Sequence, residues 1–140
     1  IGVMGELANT LMSLGGHVYG VIPQRLMNKE VAHPGLTKIH VVKDMHERKK
    51  MMYEMSDGFL IFPGGLGTMD ELFEIMTWRQ LGYHDKPIAL YNSDGYYDPL
   101  IQFIDHAVSE GFVSPAHRSL LYVSSSLEEI MAYFQTQVKA

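Results

Sequence analysis

The sequence predicts an α/β fold, a doubly wound parallel sheet in one domain over residues 1–140. Three observations carry that expectation. Short β-rich apolar runs alternate with helical ones along the chain. One of those runs, Gly58 to Phe62, is almost wholly apolar, which suits a strand covered on both faces. A length of 140 residues, 46% of them hydrophobic and 19% charged, matches a single globular core.

The elements follow in order. From Ile1 the chain runs straight into a helical pattern containing Met4, Leu7, Leu11 and Leu14, stopped by Gly15-Gly16. His17 to Ile22 reads as a strand closed by Pro23, and Met27 to Thr37 is the one longer irregular connection. Lys38 to Val42 is a strand. Asp44 and Glu47 form a capping box that opens a helix over Met45 to Ser56. After the strand Gly58 to Phe62 comes a helix from about Met69 to Leu81, with Thr68 and Glu71 spaced as its own capping box. Pro87 to Tyr91 is a strand. Asp98 then reads as an N-cap with Pro99 at the first helical position, and that helix stops before Gly111. Leu120 to Val123 is the last strand, and Ser126 with Glu129 caps the final helix. Five strands separated by helices imply parallel crossovers.

Composition removes several function classes. The chain has no cysteine, so disulfides, thiolate catalysis, thiolate zinc sites and iron–sulfur clusters are excluded. Its seven histidines never repeat at the i, i+4 spacing of a helical metal site, so no metal is expected. A net charge of −5 argues against gripping nucleic acid by bulk charge. No apolar run approaches the roughly 18 residues of a membrane span, and the first residues lack the pattern of a signal peptide. A cytoplasmic location is expected.

In a parallel sheet, ligands bind beyond the carboxyl ends of the strands. The loop that leaves Gly58 to Phe62 reads Pro63-Gly64-Gly65-Leu66-Gly67-Thr68 and enters a helix. Three glycines allow a tight turn and bring N–H groups against a ligand, while the helix terminus contributes partial positive charge. That composition makes a phosphate cradle, although a ligand-free strand-to-helix turn has the same residues. No lysine follows the last glycine, so it is not a Walker loop. Glu71 has two readings, half of a cap or a functional carboxylate. Asp70, Glu71 and Glu74 crowd three acids into the start of the helix, and Glu71 and Glu74 share a face. Paired carboxylates beside a phosphate site suit cleavage of a glycosidic bond. On the preceding helix Arg48 falls on the stripe of Met45, Met52 and Met55, in a first turn where the dipole favours anions. Either a structural carboxylate or a bound phosphate must compensate it. Lys49 and Lys50 read as a solvated face.

Two of these segments carry a resemblance. Pro63-Gly64-Gly65-Leu66-Gly67-Thr68-Met69-Asp70-Glu71 matches the PGGxGTxxE signature, and Met45-His46-Glu47-Arg48-Lys49 the MHxRK segment, of the LONELY GUY family. With Trp78, Leu81-Gly82 and Asn92-Ser93-Asp94-Gly95-Tyr96-Tyr97 further on, the chain resembles that family from end to end. The resemblance implies a Rossmann-like homodimer that hydrolyses the N-glycosidic bond of a purine nucleoside 5′-monophosphate, of the cytokinin type or AMP, without metal or organic cofactor. Carried over by motif position, Arg48 and Glu71 are the catalytic pair. Gly64, Gly65, Gly67 and Thr68 hold the phosphate, and Lys49 and Glu74 line the site. Family members begin with a strand and a glycine run of which Ile1-Gly2-Val3-Met4-Gly5 resembles the tail, so about two strands and a helix are expected to be missing from this chain.

Members of the family also carry the label lysine decarboxylase, for which the residues offer no support. A pyridoxal-phosphate enzyme needs a lysine in a defined pocket, and the lysines here read as solvated. The competing function class is a nucleotide-binding module that uses the cradle without turnover. Arg48 together with Glu71 favours the enzyme, because a binder needs the glycines but no carboxylate beside a phosphate. The ten methionines and Trp78 exceed what one small core requires, and the helices Met69 to Leu81 and Met45 to Ser56 are expected to place them in a dimer interface. Tyr96 and Tyr97 are candidates for stacking on a base or for core contacts.

Overall fold

The computed structural model describes residues 19–23 and 38–137. The chain divides into two compact units, residues 1–56 and 57–140. In the first, β1 (Tyr19–Pro23) and β2 (Lys38–Val42) pair in parallel, with Tyr19 opposite Lys38 and Pro23 opposite Val42. Helix α1 (Met45–Met55) follows and packs on both strands. Its amino terminus is held as expected, since Asp44 Oδ1 accepts the Glu47 N–H at 2.9 Å. The reciprocal bond is displaced by one residue, because Glu47 Oε2 accepts from Lys43 N–H rather than from Asp44. The expected first helix and the connection from Met27 to Thr37 lie outside the described residues.

The second unit is an open three-stranded parallel sheet with helices, an α/β arrangement as the alternating pattern predicts. Its strands are β3 (Phe59–Ile61), β4 (Ile88–Tyr91) and β5 (Leu121–Ser124), in that spatial order. Ile61 stands opposite Leu90, and Leu90 opposite Val123. Helix α2 (Leu66–Gln80) connects β3 to β4, and α3 (Asp98–Ser109) with the short α4 (Pro115–Arg118) connects β4 to β5. Helix α5 (Leu127–Gln137) closes the unit. The core joins Ile61, Leu72, Ile75, Ile88, Leu90, Tyr97 and Leu121. Each such aliphatic side chain contributes roughly 1.5–3 kcal/mol on burial.

Four local expectations are corrected. Helix α2 begins at Leu66, three residues before the predicted start. Asp98 is the first residue of α3 rather than its cap, and its carboxylate accepts from Asn92 Nδ2 at 2.8 Å. The cap of α5 is relayed: Ser126 Oγ accepts the Glu129 N–H, but Glu129 Oε2 takes the Ser124 hydroxyl, whose oxygen accepts the Ser126 N–H. Met69 and Met76 pack against the core of their own unit, whereas Leu66, Phe73 and Leu81 are the exposed large apolar residues of α2 and its C-cap. Helix α4 was not foreseen, although Ser114 before Pro115 is its capping signal and Ser114 Oγ accepts the His117 N–H at 3.1 Å. Among the described residues no helix is long and apolar enough to cross a membrane.

Helix α2 ends in a Schellman motif, with Tyr83 N–H on Trp78 O, Gly82 N–H on Arg79 O, and Gly82 at φ +85°, where only glycine is unstrained. Beyond it His84 ties the helix to the entry of β4. Nδ1 accepts the Lys86 N–H at 3.0 Å, so Nε2 must donate to Ile75 O at 2.9 Å. Arg79 Nη1 adds a bond to Lys86 O at 2.7 Å. Burial, the largest cause, holds the His84 pKa below its ordinary 6.5; Arg79 and Lys86 reinforce the shift, and the Ile75 carbonyl and Asp85 oppose it. The folded state therefore favours the neutral ring. The stability it contributes is complete above pH 6.5 and is lost as pH falls from there through the folded value. Chemical denaturation followed between about pH 7.5 and 5 should show wild type losing more stability than His84→Gln over that window, and parallel profiles would remove His84 from the linkage.

Candidate active site

Only Phe62 to Gly65 separate the end of β3 from α2, with Gly65 as N-cap at φ −106°, ψ −144°. The turn is shorter than the six-residue loop the sequence suggests, because Leu66, Gly67 and Thr68 are already helical. No side chain caps this helix, its first turn carries no acid, and Glu71 is its sixth residue. The Thr68–Glu71 capping box is therefore not formed. Thr68 does something else: its side chain lies against Gly64, where an added Cβ would come within 2.9 Å of Thr68 Cβ.

The three glycines separate by role. Gly64 is small because Thr68 occupies the space beside it. Among the described residues, an added Cβ at Gly65 or Gly67 would meet nothing within 4 Å, and neither has a positive φ. The fold leaves both faces open, and there a bare backbone can be approached from outside. Among the described residues, the N–H groups of Gly65, Leu66, Gly67 and Thr68 donate to no protein acceptor. Free amides at a helix amino terminus, with its partial positive charge, are the groups an anion would meet there.

Two hydroxyls close the other side of the turn. Tyr97 Oη donates to Phe62 O at 2.5 Å, and Tyr96 Oη donates to Gly64 O at 2.7 Å. The rings pack edge to face at 4.9 Å. Tyr97 is 3% exposed and belongs to the core, whereas Tyr96 is 53% exposed. Burial, and next Tyr96, pushes the Tyr97 pKa up against a backbone hydrogen bond at Gly64, so the hydroxyl keeps its proton and remains a donor. Of the two readings of this pair, Tyr97 takes the core one. Their hydrogen bonds to the glycine turn were missed by sequence reasoning, because nothing in a pair of adjacent tyrosines names a carbonyl more than thirty residues upstream.

Along α2, Gly67, Glu71, Glu74 and Trp78 recur at i, i+4, i+7 and i+11, a single stripe beside the buried face of Leu72 and Ile75. Glu71 thus stands on the same face as the open side of Gly67, about 6 Å further along the axis. It is half-buried and makes no hydrogen bond or ion pair within its unit. Asp70 is exposed and Glu74 half-buried, so the three acids do not act as one cluster at the terminus.

In the first unit Arg48 is half-buried, and its Nε is shielded from solvent with no hydrogen-bond partner. No described carboxylate of that unit forms an ion pair with it. Met55 is 48% exposed, so the expected apolar stripe is not buried along its length. Lys49 is half-buried, a correction to its reading as solvated, while Lys50 is exposed and 4.0 Å from Glu54.

The family model described as "possible lysine decarboxylase" matches residues 4–134. A cytokinin riboside 5′-monophosphate phosphoribohydrolase of Rhodococcoides fascians is 49% identical over 133 residues, 94% of this chain and 67% of its own length. The chain belongs to the LONELY GUY family. Two Arabidopsis thaliana proteins with the same enzyme name are 44% identical over 138 residues and 45% over 131. They share 99% and 94% of this chain, which spans 65% and 61% of their lengths. The LONELY GUY signature thus coincides with the open turn and with Glu71, and its MHxRK segment with the unpartnered Arg48.

Glycine substitutions test the division of roles. Gly64→Ala should lower the melting temperature by several degrees, since Thr68 must be displaced. Gly67→Ala should leave it unchanged or raise it, because alanine is the better helix former by roughly 1 kcal/mol. The same Gly67→Ala protein should lose most of the thermal shift given by AMP. An AMP shift equal to wild type would show that the open face at Gly67 is not where the anion binds.

Proposed function

We propose that the full-length protein hydrolyses the N-glycosidic bond of a purine riboside 5′-monophosphate, of the cytokinin type or AMP, to free base and ribose 5-phosphate. The observation that carries it is the turn at Gly65 to Thr68, exposed at Gly65 to Gly67 and carrying four amides with no protein acceptor among the described residues. The names of the relatives support the choice of substrate. In this reading Gly65, Gly67 and Thr68 hold the 5′-phosphate through backbone N–H groups, and Gly64 keeps the turn closed against Thr68.

Glu71, one turn along the same face, is then within the span of a ribose from the phosphate. As the bond between C1′ and the base nitrogen breaks, positive charge develops on the ribosyl carbon and its ring oxygen. A carboxylate there stabilises that charge or takes a proton from the attacking water. The water oxygen bonds to C1′, and one proton ends on the departing base nitrogen. Arg48 is the second catalytic residue, its unpartnered Nε being a donor that a substrate oxygen can satisfy. Lys49 and Glu74 line the site. The reaction so drawn uses neither metal nor organic cofactor.

Glu71→Gln decides the role of the carboxylate. With no cap to lose, its melting temperature should match wild type, while release of base from AMP or isopentenyl-adenosine monophosphate should fall by roughly 10²-fold or more. Arg48→Ala should lose turnover without loss of stability, since it removes a buried donor that has no partner. Near-normal base release by Glu71→Gln would move the chemistry to Glu74 or Asp70, and AMP binding by wild type without base release would return the protein to the non-catalytic binding module.

We further propose a cytoplasmic homodimer. Phe73, 44% exposed, and Leu81, 60% exposed, supply apolar surface on the α2 segment. Light scattering at micromolar concentration should give twice the monomer mass, and a monomer there would contradict the assignment.

A further inference from the structure

We infer that Tyr96 and Tyr97 are positioning residues for the anion site, and that they act by withdrawing two carbonyls from α2. The inference rests on the function proposed above. A helix continued one turn toward its amino end would bond each N–H to the carbonyl four residues earlier. For Leu66 that carbonyl is Phe62 O, and for Thr68 it is Gly64 O. Those two oxygens are the ones the tyrosine hydroxyls occupy, Tyr97 on Phe62 O and Tyr96 on Gly64 O. The first helical bond that does form is Met69 N–H to Gly65 O, at 3.1 Å. The amides of Leu66 and Thr68 are thereby left for a ligand.

A second effect follows from peptide planarity. The Gly64 carbonyl and the Gly65 N–H lie trans across one rigid plane. Fixing the oxygen on Tyr96 therefore turns the Gly65 N–H to the opposite side, toward the open face. The tyrosines can hold this orientation because their own loop is locked. Asn92 donates through Nδ2 to Asp98 Oδ1, accepts the Tyr97 N–H on its Oδ1 at 2.7 Å, and gives its backbone N–H to Ser124 O at 2.9 Å. Gly95, at φ +72°, lies so close to Asp98 that an added Cβ would sit 2.7 Å from Asp98 Oδ2. The loop from Asn92 to Asp98 is thus a brace, and its load is delivered at two hydroxyl oxygens.

Tyr96→Phe in the full-length protein is the cleanest test, because the ring is retained and Tyr96 is half in solvent. The expected result is a KM for AMP raised about tenfold, with kcat changed by less than about threefold and the melting temperature nearly unchanged. The inhibition constant of inorganic phosphate should rise by the same factor. Amide NMR of the ligand-free variant should show altered shifts confined to Gly64 to Thr68. A purely structural role would lower the active fraction and the melting temperature while leaving KM where it was, and that outcome overturns the inference. So does an unchanged phosphate constant with unchanged amide shifts. Tyr97→Phe should behave alike in KM but lose some stability, as a core hydroxyl is removed. If wild type binds AMP without cleaving it, the hydrolase reading fails, whereas the brace is still judged by AMP affinity and by the amide shifts.

Discussion

The second unit depends on one constraint: the first three residues of β4 have no side chain fit to meet water. Ile88, Ala89 and Leu90 are each 0% exposed, on both faces of the strand, so β4 must be central and must be flanked on both edges. Parallel pairing with β3 and β5 satisfies its backbone, and α2 supplies Leu72 and Ile75 to its cover. Parallel direction then has a consequence for chemistry. The carboxyl ends of β3 and β4 emerge side by side, and Phe62, the first residue beyond β3, meets Tyr91, the last of β4, edge to face at 5.6 Å. The glycine turn and the Asn92 loop are neighbours for that reason alone. Tyrosines on one can reach carbonyls on the other because the sheet admits no other order.

The same logic explains what could be read from the sequence. An unbroken apolar run has few homes in a folded chain, so Gly58 to Phe62 and Pro87 to Tyr91 were legible as strands, with ends off by one residue, although β3 lies at the edge of its sheet and only Ile61 of it is buried. Glycine and proline punctuation placed the ends of α2 and α3 for equally simple steric reasons. What failed was the start of α2. Thr68-Met69-Asp70-Glu71 has the spacing of a capping box, and Gly67 disfavours helix by intrinsic propensity, so both local signals put the boundary at Met69. The fold overrides them through Gly64: Thr68 packs into the space its missing side chain leaves, and the helix is carried back to Leu66. Asp98 misled in the same way, its carboxylate being used by Asn92 across the loop instead of by its own helix.

Of the candidate site, the residue types were legible and their division of labour was not. Composition alone makes Gly64, Gly65 and Gly67 one phosphate motif. In the structure Thr68 packs beside the first, whereas the other two meet no packing neighbour among the described residues. By spacing alone Glu71 leans toward the cap, a reading that the helix start at Leu66 removes without assigning the carboxylate a role. The tyrosines were visible only as aromatics, since a hydroxyl-to-carbonyl bond over so long a separation leaves no periodic trace.

Three features of the molecule forgo a stabilising protein partner within the described chain. Four amides at the head of α2 lack acceptors, Glu71 is half-buried without a partner in its unit, and Arg48 Nε is buried with nothing to donate to. A buried donor left in that state costs about 1–3 kcal/mol, and a half-buried carboxylate in the second turn gains little from the dipole. Each cost could have been removed by a small change: a serine at the N-cap, glutamine or alanine at Glu71, leucine at Arg48. Such changes are easily found by proteins under selection for stability alone. Arg48 and Glu71 are the catalytic pair that motif carry-over names, and the amides are where it puts the phosphate. Local consistency is most often given up at functional sites, and here the departures fall on the residues proposed for the site.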